Sequence, residues 1–309
     1  MEDKKRLEIM KLCKKIEDKN GEGSIYSLGS KKANMNIPRI STNIEGLDYI
    51  LGGGIPKGRI MEIYGPESSG KTSLGLHLCS LCDMALYVAA EGTFDASRAK
   101  VFGNKPKQLL VYRPRYGEDA LDRVMEFTKV GIPLIVVDSV PALMPKEDYD
   151  KVDKSLENEH RIGGVARLLN KALPVLEREV EKSNTTIVFI NQIRDKMNAL
   201  MFGEKTDTPG GKALKFYCSV RVQVGRRAWI EVPNKDPRNS SDNQKIGIIT
   251  KCKVQKSKIC NPFGECEIPM IFDRGYVSYD DVLTIRKEIM AENRRKQKKR
   301  KKDNVEYFQ

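Results

Sequence analysis

The sequence predicts an α/β fold with a mostly parallel, doubly wound sheet, and three observations predict it. Short apolar runs alternate with segments of helical length, the order expected of parallel strands joined by helices. The stretch GPESSGKT at 65–72 lies between an apolar run and a helical segment, as a phosphate-binding loop does. After Phe216 the core continues as strands. We expect a core at 34–275, a helix and strand before it at 1–33, and a basic helix and tail at 276–309.

The segment before the core is predicted to contain one helix and one strand. Residues 4–18 combine basic and apolar side chains in the pattern of an amphipathic helix, and SIYSL at 24–28 reads as a short strand. Such a pair cannot bury its own apolar face well. It is expected to pack either on the core of the same chain or on a neighbouring subunit.

The core strands are predicted from short apolar runs, several of them β-branched and without polar alternation, which is typical of strands buried on both faces. These runs lie at 59–64, 84–90, 109–112, 134–140 and 185–190, and then at 219–224, 246–254 and 267–272. Helices are expected at 73–82, 118–129 and 161–182, and a last helix begins near Tyr279.

Composition excludes several classes of protein. Apolar residues make up 39% of the chain and charged residues 31%, which is typical of a soluble globular protein. No apolar run is long enough to span a bilayer, and the N-terminus has no signal-like apolar region, so a cytoplasmic location is expected. Cys79 and Cys82 have metal-ligand spacing but no matching second pair, and we interpret them as small buried apolar side chains.

The charge is strongly positive and uneven. The formal net charge is +13, and RKEIMAENRRKQKKRKK at 286–302 holds ten Lys or Arg and two Glu. Such a run is either a solvated tail or a segment that binds polyanions. Because the remainder of the chain is also basic, nucleic acid is the favoured partner and a membrane is not expected.

The phosphate loop predicts the cofactors. Backbone N–H groups of the loop and of the following helix can bind phosphate oxygens, Lys71 can contact the β- and γ-phosphates, and the Thr72 hydroxyl can ligate Mg²⁺. Asp138 ends an apolar strand and supplies the carboxylate expected beside that ion. ATP and Mg²⁺ are therefore expected. The residues predicted to bind them in the loop are Gly65, Pro66, Glu67, Ser68, Ser69, Gly70, Lys71, Thr72 and Ser73.

A candidate catalytic base follows the second strand of the core. Glu91 comes directly after the run at 84–90, so it should emerge at the carboxyl edge of the sheet, where open α/β folds bind ligands. A carboxylate there can orient and deprotonate an attacking water. The alternative is an acid at a helix N-terminus.

The run at 185–190 leads into NQIRDKMNALMFGEKTDTPGGKALKF at 191–216. This segment reads as a loop that mixes basic, apolar and glycine residues. Loops of this length are uncommon inside compact domains and usually carry function.

Several motifs together resemble the bacterial RecA recombinases. They are NIEGLDYILGGGIPKGRIMEIYGPESSGKTSL, AAEG, LIVVDSVPALMPK, FINQIR and GGKALKFYCSVRV, and the resemblance covers about residues 20–280. It implies a RecA-like ATPase whose subunits polymerise as a helical filament on single-stranded DNA, with ATP between subunits. It also implies strand exchange with homologous duplex DNA, and so a role in DNA recombination and repair.

The resemblance assigns roles around the nucleotide. Gln192 corresponds to the sensor of the γ-phosphate. Asp95 corresponds to an adenine contact, and Arg98 stands where the family has a tyrosine that stacks on the base. Lys256 and Lys258 correspond to a lysine pair that reaches the ATP of the neighbouring subunit, and their spacing places both on one face of a strand. The alternative for this pair is a solvated basic edge strand.

The resemblance also implies two DNA-binding loops, near 146–163 and 193–211. Phe216 corresponds to the aromatic residue that couples the sensor across the subunit interface. Cations can meet phosphates, glycines allow close approach, and an apolar side chain can wedge between bases. The residues expected to contact DNA are Ile162, Arg167, Arg194, Lys196, Met197, Gly210, Gly211 and Lys212.

Three departures from the family pattern are visible. The first loop is long and acidic, Pro174 stands where the family carries a basic DNA contact, and a basic helix replaces the C-terminal lobe and acidic tail. We interpret the chain as a compact recombinase of a viral, phage-encoded or otherwise streamlined type.

The favoured function is an ATP-dependent homologous recombinase with DNA-stimulated hydrolysis. One alternative is a hexameric helicase-type motor, which would need an arginine finger and an accessory domain. The other is a non-catalytic RecA-like regulator of filament assembly. The presence of Lys71, Glu91, Asp138 and Gln192 argues against a non-catalytic role.

Overall fold

The computed structural model describes residues 2–21, 23–30, 36–92, 94–154, 163–195, 206–233 and 243–306. The chain divides into two compact units, Met1–Pro38 and Arg39–Gln309. Among the described residues, no helix has the length and apolar character needed to cross a membrane.

The first unit contains helix α1, Glu2–Asn20, which confirms the helix predicted at 4–18. The strand predicted at 24–28 is wrong, because the described backbone there forms turns. These turns are closed by local bonds such as the one from the Ser24 N–H to the Gly21 carbonyl, 3.2 Å long. Apolar composition alone could not make a strand without a neighbouring strand to pair with.

Strands in the second unit fall into one large sheet and two short pairs. The sheet strands are β3 (Ile60–Gly65), β4 (Ala85–Ala89), β5 (Leu109–Tyr112), β6 (Leu134–Asp138), β7 (Thr186–Gln192), β10 (Val220–Pro233), β11 (Asn243–Ser257), β12 (Glu265–Ile271) and β13 (Gly275–Tyr276). The short pairs are β1 (Arg39–Ile40) with β2 (Ile55–Pro56), and β8 (Arg194–Asp195) with β9 (Thr206–Asp207).

The described strands of the large sheet number nine, in the order β13-β12-β11-β10-β3-β7-β6-β4-β5. Pairing is parallel from β10 through β5 and antiparallel from β10 through β13. Every residue of β4 and β6 is buried, because helices cover both faces of the parallel part. The predicted mostly parallel, doubly wound sheet is confirmed.

Helices pack on the two faces of this sheet. They are α2 (Glu45–Leu51), α3 (Lys71–Ser80), α4 (Ala96–Val101), α5 (Gly117–Val130), α6 (Lys146–Lys154), α7 (Gly164–Ser183), α8 (Gly211–Tyr217) and α9 (Tyr279–Glu306). The long helices match the predicted ones. The core on one face includes Leu74 and Leu78 of α3, and the core on the other face includes Val124 of α5 and Leu173 of α7.

Strands β10 and β11 are longer than predicted, with 14 and 15 residues. The outer half of β10 has four exposed residues in a row at 226–229 before the buried Ile230 and Val232, so its sequence lacks the alternation typical of a strand. Val282 and Ile285 of α9 cover this extension and form a third apolar cluster with Ile230 and Ile246.

Both segments predicted as DNA-binding loops contain regular structure. The first begins with α6, which carries an ion pair between Glu147 and Lys151 one turn apart, 3.4 Å long. The second begins and ends in the paired strands β8 and β9, and α8 then starts at Gly211. The interpretation of 191–216 as a segment without helix or strand is therefore wrong. Gly210 precedes α8 with a φ of 94°, a left-handed conformation that favours glycine.

Phe189 tests the packing of the central sheet. Its side chain is 0% exposed in the middle of β7, so Phe189→Ala should lower the free energy of unfolding by about 3–5 kcal/mol, measured by urea denaturation. The matched control is Phe263→Ala, whose ring is 65% exposed, and its effect should stay within about 0.5 kcal/mol. Equal losses in the two variants would contradict this account of the core.

Candidate active site

The phosphate loop joins β3 to α3 at the carboxyl edge of the parallel strands. A Cβ atom at Gly65 would lie 1.9 Å from the Val224 carbonyl oxygen, so the close approach of the loop to β10 requires glycine. Ser68 and Gly70 both have positive φ, 55° and 94°. Positive φ values let the chain turn sharply, and successive N–H groups in such a turn can form a concave anion-binding site.

Lys71 is the first residue of α3 and is mostly buried. Its Nζ donates a 2.6 Å hydrogen bond to the Pro66 carbonyl oxygen. Burial lowers the pKa of this ammonium group, while Asp138 and Glu91 act in the opposite direction. The cation thus lies over its own loop, where a phosphate oxygen could replace the carbonyl.

Asp138 ends β6 and is the buried carboxylate of the site. It accepts a 2.8 Å hydrogen bond from the Thr72 hydroxyl and another from the Tyr87 hydroxyl. Burial raises the pKa of Asp138, and these two hydrogen bonds oppose that shift. Burial likewise raises the pKa of Tyr87. Sequence reasoning missed Tyr87, although a tyrosine inside an apolar strand needs a hydrogen-bond partner when buried.

Thr72 and Asp138 fit the magnesium ion expected here. Among the described residues, no group of three or more His, Cys, Asp or Glu side chains could hold a metal. Mg²⁺ nevertheless needs only one or two protein carboxylates when substrate phosphates and waters complete its shell. One carboxylate and one hydroxyl in contact at the end of a phosphate loop match that requirement.

Three strand ends bring Glu91, Ser139 and Gln192 together. Glu91 follows β4, Ser139 follows β6, and Gln192 ends β7. The Glu91 carboxylate accepts hydrogen bonds from the Ser139 hydroxyl and, at 3.4 Å, from Gln192 Nε2. The predicted base and the predicted sensor are therefore in contact. Ser139 was not predicted, because its role depends on strand order in the sheet.

A cavity of about 500 Å³ has Thr72 in its lining, and a nucleoside could fit there. Asp95 caps α4 through a 2.7 Å bond from the Ser97 N–H. Arg98 donates to the Phe272 carbonyl at 2.6 Å and to the Ser73 hydroxyl at 3.2 Å, so its guanidinium links α3, α4 and the end of β12. The lining residues are Thr72, Leu76, Tyr87, Gly92, Phe94, Asp95, Arg98 and Arg113, of which only Thr72, Asp95 and Arg98 were predicted.

Lys256 and Lys258 both reach the end of α8. Lys256 Nζ donates to the carbonyls of Lys215 at 2.5 Å and Phe216 at 2.9 Å. Burial and the nearby Lys258 lower the pKa of Lys256. Lys258 Nζ lies 5.3 Å from the centre of the Phe216 ring and 3.7 Å from Glu177. In this single chain the lysine pair is therefore joined to the helix that follows the second loop.

Two of the predicted DNA contacts, Gly210 and Gly211, line a cleft of about 630 Å³ between the start of α7 and residues 207–211. Arg167 and Lys212 are exposed near it. Cβ atoms at Gly210 and Gly211 would lie within 3 Å of Leu169 and Ala166, so the end of the second loop packs closely on α7. Ile162, Lys196 and Met197 lie outside the described residues, and for Arg194 only the backbone pairing in β8 is described.

Comparison with known proteins gives a consistent result. Residues 7–277 match the family model of the RecA N-terminal domain. The chain is 42% identical over 281 residues to Protein RecA of Wolinella succinogenes, which covers 89% of this chain and 76% of that protein. It is 42% identical over 281 residues to Protein RecA of Campylobacter jejuni, with 89% and 78% covered. Protein RecA of Helicobacter pylori is 40% identical over 288 residues, with 91% and 79% covered.

Tyr87 should set the acid limit of activity. Its hydroxyl lowers the pKa of Asp138, so Tyr87→Phe should raise that pKa and protonate the carboxylate at a higher pH. A protonated Asp138 is a poor magnesium ligand. The acid limb of kcat/KM for Mg-ATP, measured between pH 5 and 8, should therefore move to higher pH.

The matched control is Tyr112→Phe. It removes a 2.7 Å hydrogen bond from a tyrosine on β5, the strand adjacent to β4, to Asp119 on α5. Its profile should follow that of the unmodified protein. Coincident acid limbs in all three proteins would contradict the role of Tyr87.

Proposed function

The chain belongs to the RecA family and is a DNA-dependent ATPase and recombinase. On that premise we propose which of its residues bind nucleotide, which act in hydrolysis and which contact DNA. The observation that carries the proposal is the meeting of the phosphate loop with the ends of β4, β6 and β7. There Thr72 contacts Asp138 and Gln192 contacts Glu91.

Lys71, Thr72 and Asp138 are proposed to bind Mg-ATP. Lys71 would exchange the Pro66 carbonyl for oxygens of the β- and γ-phosphates. The Thr72 hydroxyl and the Asp138 carboxylate would hold Mg²⁺, which when bound neutralises charge on the phosphate oxygens. Asp95 and Arg98 would border the nucleoside in the adjoining cavity.

Glu91 is proposed to act on the attacking water. Its carboxylate would orient the water and accept its proton, and the Ser139 hydroxyl bond would fix the carboxylate in place. Gln192 would report the γ-phosphate to the second loop, because its amide lies between Glu91 and the backbone that leads into β8.

Single-stranded DNA and homologous duplex DNA are the proposed nucleic-acid partners, and a helical homo-oligomer is the proposed assembly. The cleft between α7 and residues 207–211, with Arg167 and Lys212 beside it, would follow the DNA backbone. Lys256 and Lys258 would reach the ATP of a neighbouring subunit, with Phe216 coupling that contact to the loop. A cytoplasmic location is part of the same proposal. The comparisons favour neither a helicase-type motor nor a non-catalytic regulator.

The test of this function is ATP turnover with and without a long single-stranded homopolymer, with electron microscopy of the same samples. Turnover should rise on DNA addition and filaments should form. Lys71→Ala should lose turnover, because the phosphates lose their main cation, while circular dichroism confirms that it is folded. DNA coating by the unmodified protein without stimulated turnover would instead indicate a regulator of filament assembly.

Lys212 tests the second loop. Lys212→Ala should weaken binding to single-stranded DNA at all sequences and reduce the slope of log K against log salt by about 0.7 for one lost phosphate contact. The matched control is Lys129→Ala, an exposed lysine in the last turn of α5, at the opposite edge of the sheet. Identical slopes in the two variants would contradict DNA contact by Lys212.

A further inference from the structure

A buried carboxylate lies in the central strand β3, apart from the nucleotide contacts. Glu62 is 0% exposed, and burying an ionised carboxylate is costly unless it is paired and hydrogen-bonded. Both of its oxygens have partners on the flanking strands. Oε2 contacts Nε of Arg221 on β10, and Oε1 accepts a 2.8 Å hydrogen bond from Asn191 on β7.

Arg221 pairs with this carboxylate and fixes its position. Burial opposes the charge of the guanidinium, but the neighbouring Glu62 outweighs burial and raises the pKa of Arg221. The guanidinium also lies 4.5 Å from the centre of the Tyr64 ring. The pair thus provides a rigid acceptor inside the sheet.

The side-chain amide of Asn191 makes three hydrogen bonds. Its Nδ2 donates to Glu62 and, at 2.8 Å, to the carbonyl oxygen of Pro209. Its Oδ1 accepts a 2.9 Å bond from the Gln192 N–H. The orientation is determined by these partners, since a flipped amide would place its oxygen against two acceptors and its NH₂ against a donor.

These bonds join the two ends of the second loop. Asn191 stands directly before Gln192, and Pro209 stands directly before Gly210, the residue that precedes α8. Closing a loop of this size costs conformational entropy, and the bond from Asn191 to Pro209 holds it closed at the base. Glu62 orients the donor from a strand that is paired on both sides.

We propose that Asn191 is a positioning residue that ties both ends of the second loop to the Gln192 backbone, with Glu62 as its anchor. This inference rests on the proposed DNA-binding function of the loop. The hydrogen bond from Asn191 to Pro209 preorganises the loop. DNA binding therefore costs less conformational entropy. A shift of the Pro209 end on DNA is transmitted directly to Gln192, whose side chain contacts Glu91.

The first test variant is Asn191→Asp in the full chain. It keeps an oxygen for the Gln192 N–H but removes both donors and places a second carboxylate beside Glu62. The measured quantity is the concentration of single-stranded homopolymer that gives half-maximal stimulation of ATP turnover. It should rise about tenfold, equivalent to ~1.4 kcal/mol, and the KM for ATP should change less.

The matched control is Asn104→Asp. Asn104 is also a buried amide whose Nδ2 donates to two carbonyls, Leu76 at 2.8 Å and Ala99 at 3.1 Å, but it lies beside α3 and α4. It should lose thermal stability while its half-maximal DNA concentration stays that of the unmodified protein. Equal DNA responses of the two variants would overturn the proposal.

A double variant, Glu62→Gln with Asn191→Asp, separates the effect of Asn191 on DNA stimulation from its effect on thermal stability. It can also replace the single variant if Asn191→Asp does not fold. It transposes the amide and the carboxylate, so one negative charge remains near Arg221 and a hydrogen bond between positions 62 and 191 is possible. Residue 191 still lacks a donor for Pro209. Thermal stability should recover while DNA stimulation stays weak.

Recovery of DNA stimulation together with stability in the double variant would show a merely structural role and overturn the inference. If the unmodified protein itself shows no stimulation by DNA, the proposed function fails and the inference fails with it. Normal stimulation of the unmodified protein and of Asn191→Asp would overturn the inference alone.

Discussion

The contact between Thr72 and Asp138 is the interaction on which the arrangement of the site depends. Asp138 lies buried at a strand end, where an ionised carboxylate is stable only with hydrogen-bond donors. Thr72 supplies one donor from the first turn of α3 and Tyr87 supplies another from β4. The Asp138 carboxylate therefore fixes the start of α3 against β4 and β6. The phosphate loop, which leads directly into α3, is fixed with it.

Much of this arrangement could be predicted from local sequence. The phosphate loop is a contiguous motif, and Asp138 and Glu91 each follow a buried strand, so the rule that parallel strands end at one edge places them together. The helices α5 and α7 have clear amphipathic periodicity. For the loop, the strand ends and these helices, the residues that determine the structure lie next to one another in the sequence.

Other features depend on neighbours that are distant in the chain. The segment at 24–28 resembles a strand but has only turns, while the charged outer halves of β10 and β11 form a long ladder because each pairs with the other. The partners of Glu62 come from β7 and β10, so only the strand order shows that this apolar run contains a paired carboxylate. Ser139 and Tyr87 likewise gain their roles from the register of β4 and β6.

The order of strands in the sheet also bears on how the protein folds. Strands β10 and β11 follow each other in the chain and can pair early as a local hairpin, whereas β3 pairs with β7, so that Ile60 meets Ile187. Such distant pairing has a large loop-closure cost and slows folding. Because the phosphate loop needs β3 between β7 and β10, nucleotide binding is expected to be among the last properties acquired during folding. Bound ATP would then stabilise only those molecules whose sheet is complete.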